Sequence, residues 1–253
     1  SQYKPVVPSS KTKSPRELDF ETAAERLKGV IYHTPLSYNK NLSRKYNCDV
    51  YLKREDLQVV RSYKLRGAYN MMRSLPKEQL ENGVVCASAG NHAQGVAYSC
   101  NLLNINATIY MPVSTPKQKI KQVELFGKKN IEIVLAGETY DDAYAIAQQY
   151  ALIDNKIFIH PFDDRKVIAG QGTIGLEIVE TVAVPIDYIF VPIGGGGLAA
   201  GIITVFSKLS PGTKIIGVEP AGAADTCGQY LCSTIARTSG CHPRRDGDAH
   251  GAD

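Results

Sequence analysis

Short apolar runs alternate along this chain with longer stretches whose apolar residues recur every three or four positions, which predicts repeated strand, helix, strand units. Residues 18–27 put Phe20, Ala23, Ala24 and Leu27 on one face of a helix. A strand is expected at 48–52, a helix at 65–74 closed by Pro76, a strand at 84–86 and a helix at 93–103. Next come a strand at 107–111 and a helix at 116–126, where Pro116 suits a first turn and Gly127 a C-terminal stop. Strands at 131–135 and 157–159 flank a helix at 139–150. A helix at 167–182, a buried strand at 187–191, a helix after Gly197 and a strand at 214–218 complete the series. The expected fold is α/β, with open, mainly parallel sheets and flanking helices.

The pattern fails at both ends. Residues 1–16 carry Lys4, Lys11, Lys13 and Arg16 without the apolar centre of a secretion signal, so a flexible arm is expected. After Pro220 the chain turns Ala-, Gly-, Cys- and Thr-rich, and 226–253 is expected to be an irregular tail.

Composition narrows the class. An apolar fraction of 43% and a charged fraction of 21% fit an ordinary globular protein. The net charge of +4 is dispersed, which argues against nucleic acid as a partner. With no run of 18 apolar residues, no membrane helix is expected. A cytoplasmic location follows, or an organelle if a transit peptide has been removed. Cys48, Cys86 and Cys100 read as buried thiols rather than a disulfide scaffold. Cys227, Cys232, Cys241 and His242 lack the regular spacing of a zinc site.

Three stretches at strand ends carry candidate chemistry. Lys64, in Ser62-Tyr63-Lys64-Leu65-Arg66-Gly67-Ala68, sits where a helix begins, a position that disfavours positive charge and suits amine chemistry. Gly194-Gly195-Gly196-Gly197 before Leu198 leave backbone N–H groups open to an anion. Ser88-Ala89-Gly90-Asn91-His92 forms a polar loop, and Ser88 or Asn91 could equally serve as an ordinary helix cap. His92 could be a base or a structural hydrogen-bonding residue. A dinucleotide fingerprint competes for the glycines, with Glu219 about 20 residues on, but it requires spaced glycines rather than a contiguous run. The charged Lys53-Arg54-Glu55-Asp56 could be a solvated strand end or an electrostatic brace.

With these three motifs in this order, the chain resembles the fold-type II pyridoxal-phosphate enzymes, in the branch of threonine dehydratases and serine dehydratases and racemases. The resemblance runs from about Leu18 to Ala224. It implies two domains: a large cofactor-binding domain from 17–55 and 166–225, and a small domain from 56–165. It implies that Lys64 binds pyridoxal phosphate covalently and acts as the catalytic base. Asn91 would contact the cofactor's 3-oxygen, and Gly194, Gly195, Gly196, Gly197 and Leu198 would hold its phosphate. Ser88, Asn91 and His92 would receive the carboxylate of a small amino-acid substrate.

The implied reaction is dehydration and deamination of L-threonine, and of L-serine, to a 2-oxo acid and ammonia. Racemases of this branch carry a serine immediately before the Gly-Asn pair. Ala89 stands there, so a dehydratase is favoured over a serine racemase-like enzyme. The resemblance also implies a homo-oligomer, dimer or tetramer, and Mg²⁺ or Ca²⁺ held by Glu219, the Ala223 carbonyl and Asp225. A full catalytic domain of this family continues past the strand ending at Glu219, so the last part of the large domain is expected to be missing. That leaves a second expectation, a truncated, non-catalytic remnant that binds the cofactor weakly or associates with a homologue.

Overall fold

The computed structural model describes residues 18–219. The expected arm at 1–16 and tail at 226–253 lie outside them. In chain order the elements are α1 (Phe20–Leu27), β1 (Leu36–Tyr38), α2 (Lys40–Tyr46), β2 (Tyr51–Lys53), a 3-10 turn (Glu55–Leu57), α3 (Lys64–Arg73), α4 (Lys77–Leu80), β3 (Val84–Ala87) and α5 (Asn91–Leu103). They continue with β4 (Ala107–Met111), α6 (Lys117–Gly127), β5 (Ile131–Leu135), α7 (Tyr140–Ile153), β6 (Ile157–Phe158), α8 (Arg165–Thr181), β7 (Tyr188–Pro192), α9 (Gly197–Leu209) and β8 (Lys214–Val218).

The described strands form an α/β architecture of three small sheets. One is four-stranded and wholly parallel, in the order β5-β4-β3-β6. β7 and β8 pair in parallel, with Tyr188 opposite Lys214 and Pro192 opposite Val218. β1 and β2 pair antiparallel, and β1 and α2 have no counterpart in the periodicity because three and seven residues are too few to establish one.

Of four apolar clusters among the described residues, the two larger organise these layers. Ala68, Met72, Val84, Cys86, Ala97, Ile109, Met111 and Ile159 fill the space between α3, α5 and the four-stranded sheet. Phe20, Ala23, Ala169, Ile174, Val191, Ile202, Val205 and Phe206 bring together α1, α8, α9 and β7. Helix α3 contacts both α5 and α8 and so joins the two. Its crossing with α8 depends on glycine: a Cβ on Gly170 would lie 2.4 Å from the Arg66 carbonyl oxygen, and one on Gly67 2.4 Å from Gln171 Nε2.

Two expectations fail on burial. β7 is not a buried strand, for Tyr188 is 45% and Phe190 65% exposed. Among the described strands it pairs only with β8, and its inward residues, such as Val191, meet the second core while the alternate residues face out. Cys48 is exposed, unlike the buried Cys86 and Cys100, because it follows the left-handed Asn47 that turns the chain out of α2. Among the described residues no helix is long and apolar enough to cross a membrane.

Candidate active site

The starts of the helices separate by sequence. α1, α2, α7 and α8 are capped by the side chains of Asp19, Asn39, Thr139 and Asp164. α4 and α6 begin behind Pro76 and Pro116. The remaining three, α3, α5 and α9, start at Lys64, Asn91 and Gly197 behind Tyr63, Gly90 and Gly196, with no side-chain cap. These are the three motifs. An uncapped start leaves N–H groups unsatisfied and presents partial positive charge, a setting that takes up an anion.

The glycine loop enters α9 through Gly196, whose φ of 84° lies in the left-handed region that glycine tolerates. A Cβ on Gly195 would sit 2.1 Å from the Phe162 ring, and one on Gly197 2.8 Å from the Phe162 carbonyl oxygen. Gly194 faces open space, with nothing within 4 Å of a Cβ there. The Leu198 side chain is packed in the second core, so only its backbone can face the loop.

Lys64 occupies the first turn of α3, its Nζ donating to the Pro161 carbonyl at 2.7 Å and lying 5.6 Å from the centre of the Tyr63 ring. Burial lowers its pKa to about 8, because a desolvated ammonium is disfavoured. An appreciable fraction of the amine is therefore uncharged and nucleophilic near neutrality. Two residues earlier in the chain, Ser62 Oγ is buried without a hydrogen-bond partner among the described residues, an arrangement that costs about 1–3 kcal/mol.

In the polar loop, Ser88 Oγ accepts from the Gly90 N–H at 3.1 Å. Asn91 is exposed, and its amide has no hydrogen-bond partner among the described residues. His92 is buried, with Nε2 donating to the Ile159 carbonyl at 2.8 Å. Burial, with the nearby charge of Lys64 acting in the same direction, pushes its pKa down to about 3. Its ring is thus neutral and engaged in a structural bond.

Residues 159–162, absent from the sequence-level candidates, draw the three motifs together. Ile159 takes the His92 bond, Pro161 takes the Lys64 bond, and Phe162 packs on Gly195 and Gly197. The available sequence signal was position alone, since the segment leaves the carboxyl end of β6, where α/β proteins place ligands.

The charged run 53–56 divides in two. Arg54 and Asp56 form an exposed pair at 2.7 Å. Lys53 and Glu55 instead enter a buried cluster around Arg66, whose side chain is fully enclosed. Arg66 Nη1 and Nη2 bond the two Glu177 oxygens at 2.6 and 2.9 Å, while Nε and Nη2 bond Glu55 at 2.9 and 2.7 Å. Lys53 Nζ adds a bond to Glu177 at 2.5 Å. Burial opposes the Glu177 charge, but the hydrogen bonds and charge of Arg66, then Lys53, outweigh it and hold the carboxyl below its usual range. This cluster pins the residue two places after Lys64 to α8.

Glu219 follows β8, with Oε1 buried and unpartnered among the described residues. Ala223 and Asp225 lie outside them. No group of three or more His, Cys, Asp and Glu side chains suited to a metal occurs among the described residues.

An amine lowered to about 8, uncapped helix starts and a run of glycines entering α9 fit a phosphorylated aldehyde, which needs a nucleophilic nitrogen and an anion cradle. Comparison with known proteins agrees: residues 27–250 match the family described as pyridoxal-phosphate dependent enzyme, and the chain belongs to it. Among curated relatives, the biosynthetic L-threonine dehydratase of Halalkalibacterium halodurans is 56% identical over 205 residues, covering 81% of this chain and 49% of the relative. That of Bacillus subtilis is 56% identical over 202 residues, covering 80% and 48%. The chain thus spans about half the length of the curated relatives it matches. Among solved structures, the processed form of threonine deaminase isoform 2 from Solanum lycopersicum has a TM-score of 0.74 at 45% identity, covering 87% of this chain and 66% of that one. Maize serine racemase has a TM-score of 0.77 at 32% identity, covering 81% and 61%.

Proposed function

We propose that this chain binds pyridoxal phosphate through Lys64 and dehydrates and deaminates L-threonine, and L-serine, to a 2-oxo acid and ammonia. The observation that carries the reading is the buried Lys64 amine, its pKa lowered to about 8, at the uncapped start of α3. The bound cofactor supplies an electron sink for charge developing at the substrate Cα. Asn91 would hold its 3-oxygen, and the backbone N–H groups of Gly194, Gly195, Gly196, Gly197 and Leu198 would hold its phosphate.

The substrate carboxylate rests at the start of α5, with Ser88 and Asn91 offering side chains. His92 contributes through its backbone, because its ring is already bonded to Ile159. Once the substrate's own amine has taken its place on the cofactor, the freed Lys64 amine would take the Cα proton, and the β-hydroxyl would leave as water with one proton in exchange for the one removed. Hydrolysis then returns one water and releases ammonia, giving 2-oxobutanoate from threonine. Ala89, which has no hydroxyl to act on the opposite face, favours elimination over racemisation.

The reading includes a dimer or tetramer, for which the resemblance is the support, and a cytoplasmic location, which the bacterial biosynthetic relatives suggest. It also includes a divalent cation at Glu219 with Ala223 and Asp225, for which the resemblance is the support. The test is purification with pyridoxal phosphate, borohydride fixation with peptide mapping, and a threonine-dependent 2-oxo acid assay. A label on Lys64 and product formation are expected, both lost in Lys64→Ala. A folded chain that retains no label refutes the reading.

A further inference from the structure

Beyond β6 one peptide unit faces two functional side chains at once. The Pro161 carbonyl accepts from Lys64 Nζ at 2.7 Å, and the Phe162 N–H, the other end of the same peptide, donates to His160 Nδ1 at 3.2 Å. The Asp163 N–H donates to the same Nδ1 at 2.7 Å. A backbone N–H only donates, so Nδ1 is bare and the ring of His160 is neutral with its proton on Nε2. Because a peptide is planar, holding its N–H sets the direction of its carbonyl. The His160 ring also stands edge-on to Phe162 at 4.7 Å, and Phe162 in turn fills the place that a side chain at Gly195 would need.

We propose that His160 is a positioning residue for Lys64: its bare Nδ1 clamps the Pro161–Phe162 peptide so that the Pro161 carbonyl aims the free lysine amine. The inference rests on the proposed capture of pyridoxal phosphate by Lys64. A proton on Nδ1 would set three donors against one another and release the clamp. The groups facing His160 are Asp163 and Asp164, Lys64 on α3, Tyr144 on α7 and the neutral His92 on α5. Burial and the Lys64 charge disfavour the charged ring, the two aspartates favour it, and the balance lies below the ordinary histidine value. The clamp therefore holds at neutral pH and opens in acid.

The test uses the whole 253-residue chain without cofactor, as wild type, His160→Ala and His160→Asn. Asparagine presents an oxygen near the position of Nδ1 and does not titrate. Trace acetylation against pH, read by peptide mass spectrometry, reports the Lys64 pKa. Addition of pyridoxal phosphate followed by borohydride reports the rate of capture. His160→Ala should lower the Lys64 pKa by roughly one unit through loss of an aimed acceptor. It should also slow capture about tenfold at about pH 9.5, where the amine is uncharged in every variant. His160→Asn should keep the capture rate within about twofold of wild type, leave the Lys64 pKa near its wild-type value and remove the acid fall in capture that remains after correction for Lys64 titration.

A folded His160→Ala with an unchanged pKa and rate, or His160→Asn behaving like His160→Ala, overturns the proposal. Should His160→Ala fail to fold, an acid fall shared by wild type and His160→Asn overturns it. Absence of capture by wild type refutes the cofactor reading instead, while the acetylation arm still tests the clamp.

Discussion

Replacing Arg66 with methionine should be among the most damaging single changes in this chain, although the side chain touches no proposed ligand. The guanidinium is fully enclosed and makes five hydrogen bonds, to Glu55, Glu177 and Thr173. Arg66 and Lys53 balance Glu55 and Glu177 in charge. Methionine fills similar volume but leaves two largely buried carboxylates facing a single lysine. Removing one partner from such a cluster costs about 3–5 kcal/mol. At about 2–4 °C per kcal/mol for a chain of this size, the thermal midpoint should fall by about 6–20 °C.

Circular dichroism during heating and urea titration measures the loss, and pH gives it a signature. The folded Glu177 carboxyl lies below its unfolded value of about 4.3, so its stabilisation is present above that pH and is lost as pH falls through the folded value. The gap between wild type and Arg66→Met should therefore be widest above about pH 5 and narrow in acid. A loss under about 1 kcal/mol, or a gap that does not change with pH, would refute the account of the cluster.

Three further outcomes are expected. Covalent capture of pyridoxal phosphate should rise about tenfold per pH unit up to about 8 and then level, because the uncharged amine is the reactive form; a profile levelling near the ordinary lysine value would show that burial does not lower Lys64. Gly195→Val should displace Phe162 and weaken cofactor retention at least about tenfold, measured by absorbance after dialysis, since its Cβ would lie 2.1 Å from the ring; unchanged retention would disconnect Phe162 from the glycine loop. Native thiol labelling mapped by mass spectrometry should modify Cys48 rapidly and spare Cys86 and Cys100, since burial pushes both thiols up, Cys100 to about 12. Fast labelling of Cys86 would refute the packing of that core.

Much of the α/β order was legible before any coordinates. The strands at 107–111, 131–135 and 214–218 agree to the residue with β4, β5 and β8, because short, mainly apolar and β-branched runs are a local signal. The lysine, the polar loop and the glycine run were legible for the same reason, each being a contiguous motif at a strand end. β7 was misjudged because an apolar run does not reveal whether one face or two will be covered. The run 53–56 is not divided by its own pattern, since Glu55 is drawn in by Arg66 and Lys53 by Glu177, a residue of α8 more than a hundred positions later.

Sequence by itself determined the three contiguous motifs at strand ends and much of the strand and helix order, for both follow from side-chain type and short-range spacing. Only the tertiary structure decided how they meet. His160, Pro161 and Phe162 join Lys64 to the glycine loop across separations of 97 residues for the lysine bond, and Arg66 is sealed against α8 through bonds spanning 111. Such contacts depend on how the sheets and helices pack, and the burial that lowers the lysine arises only when they do.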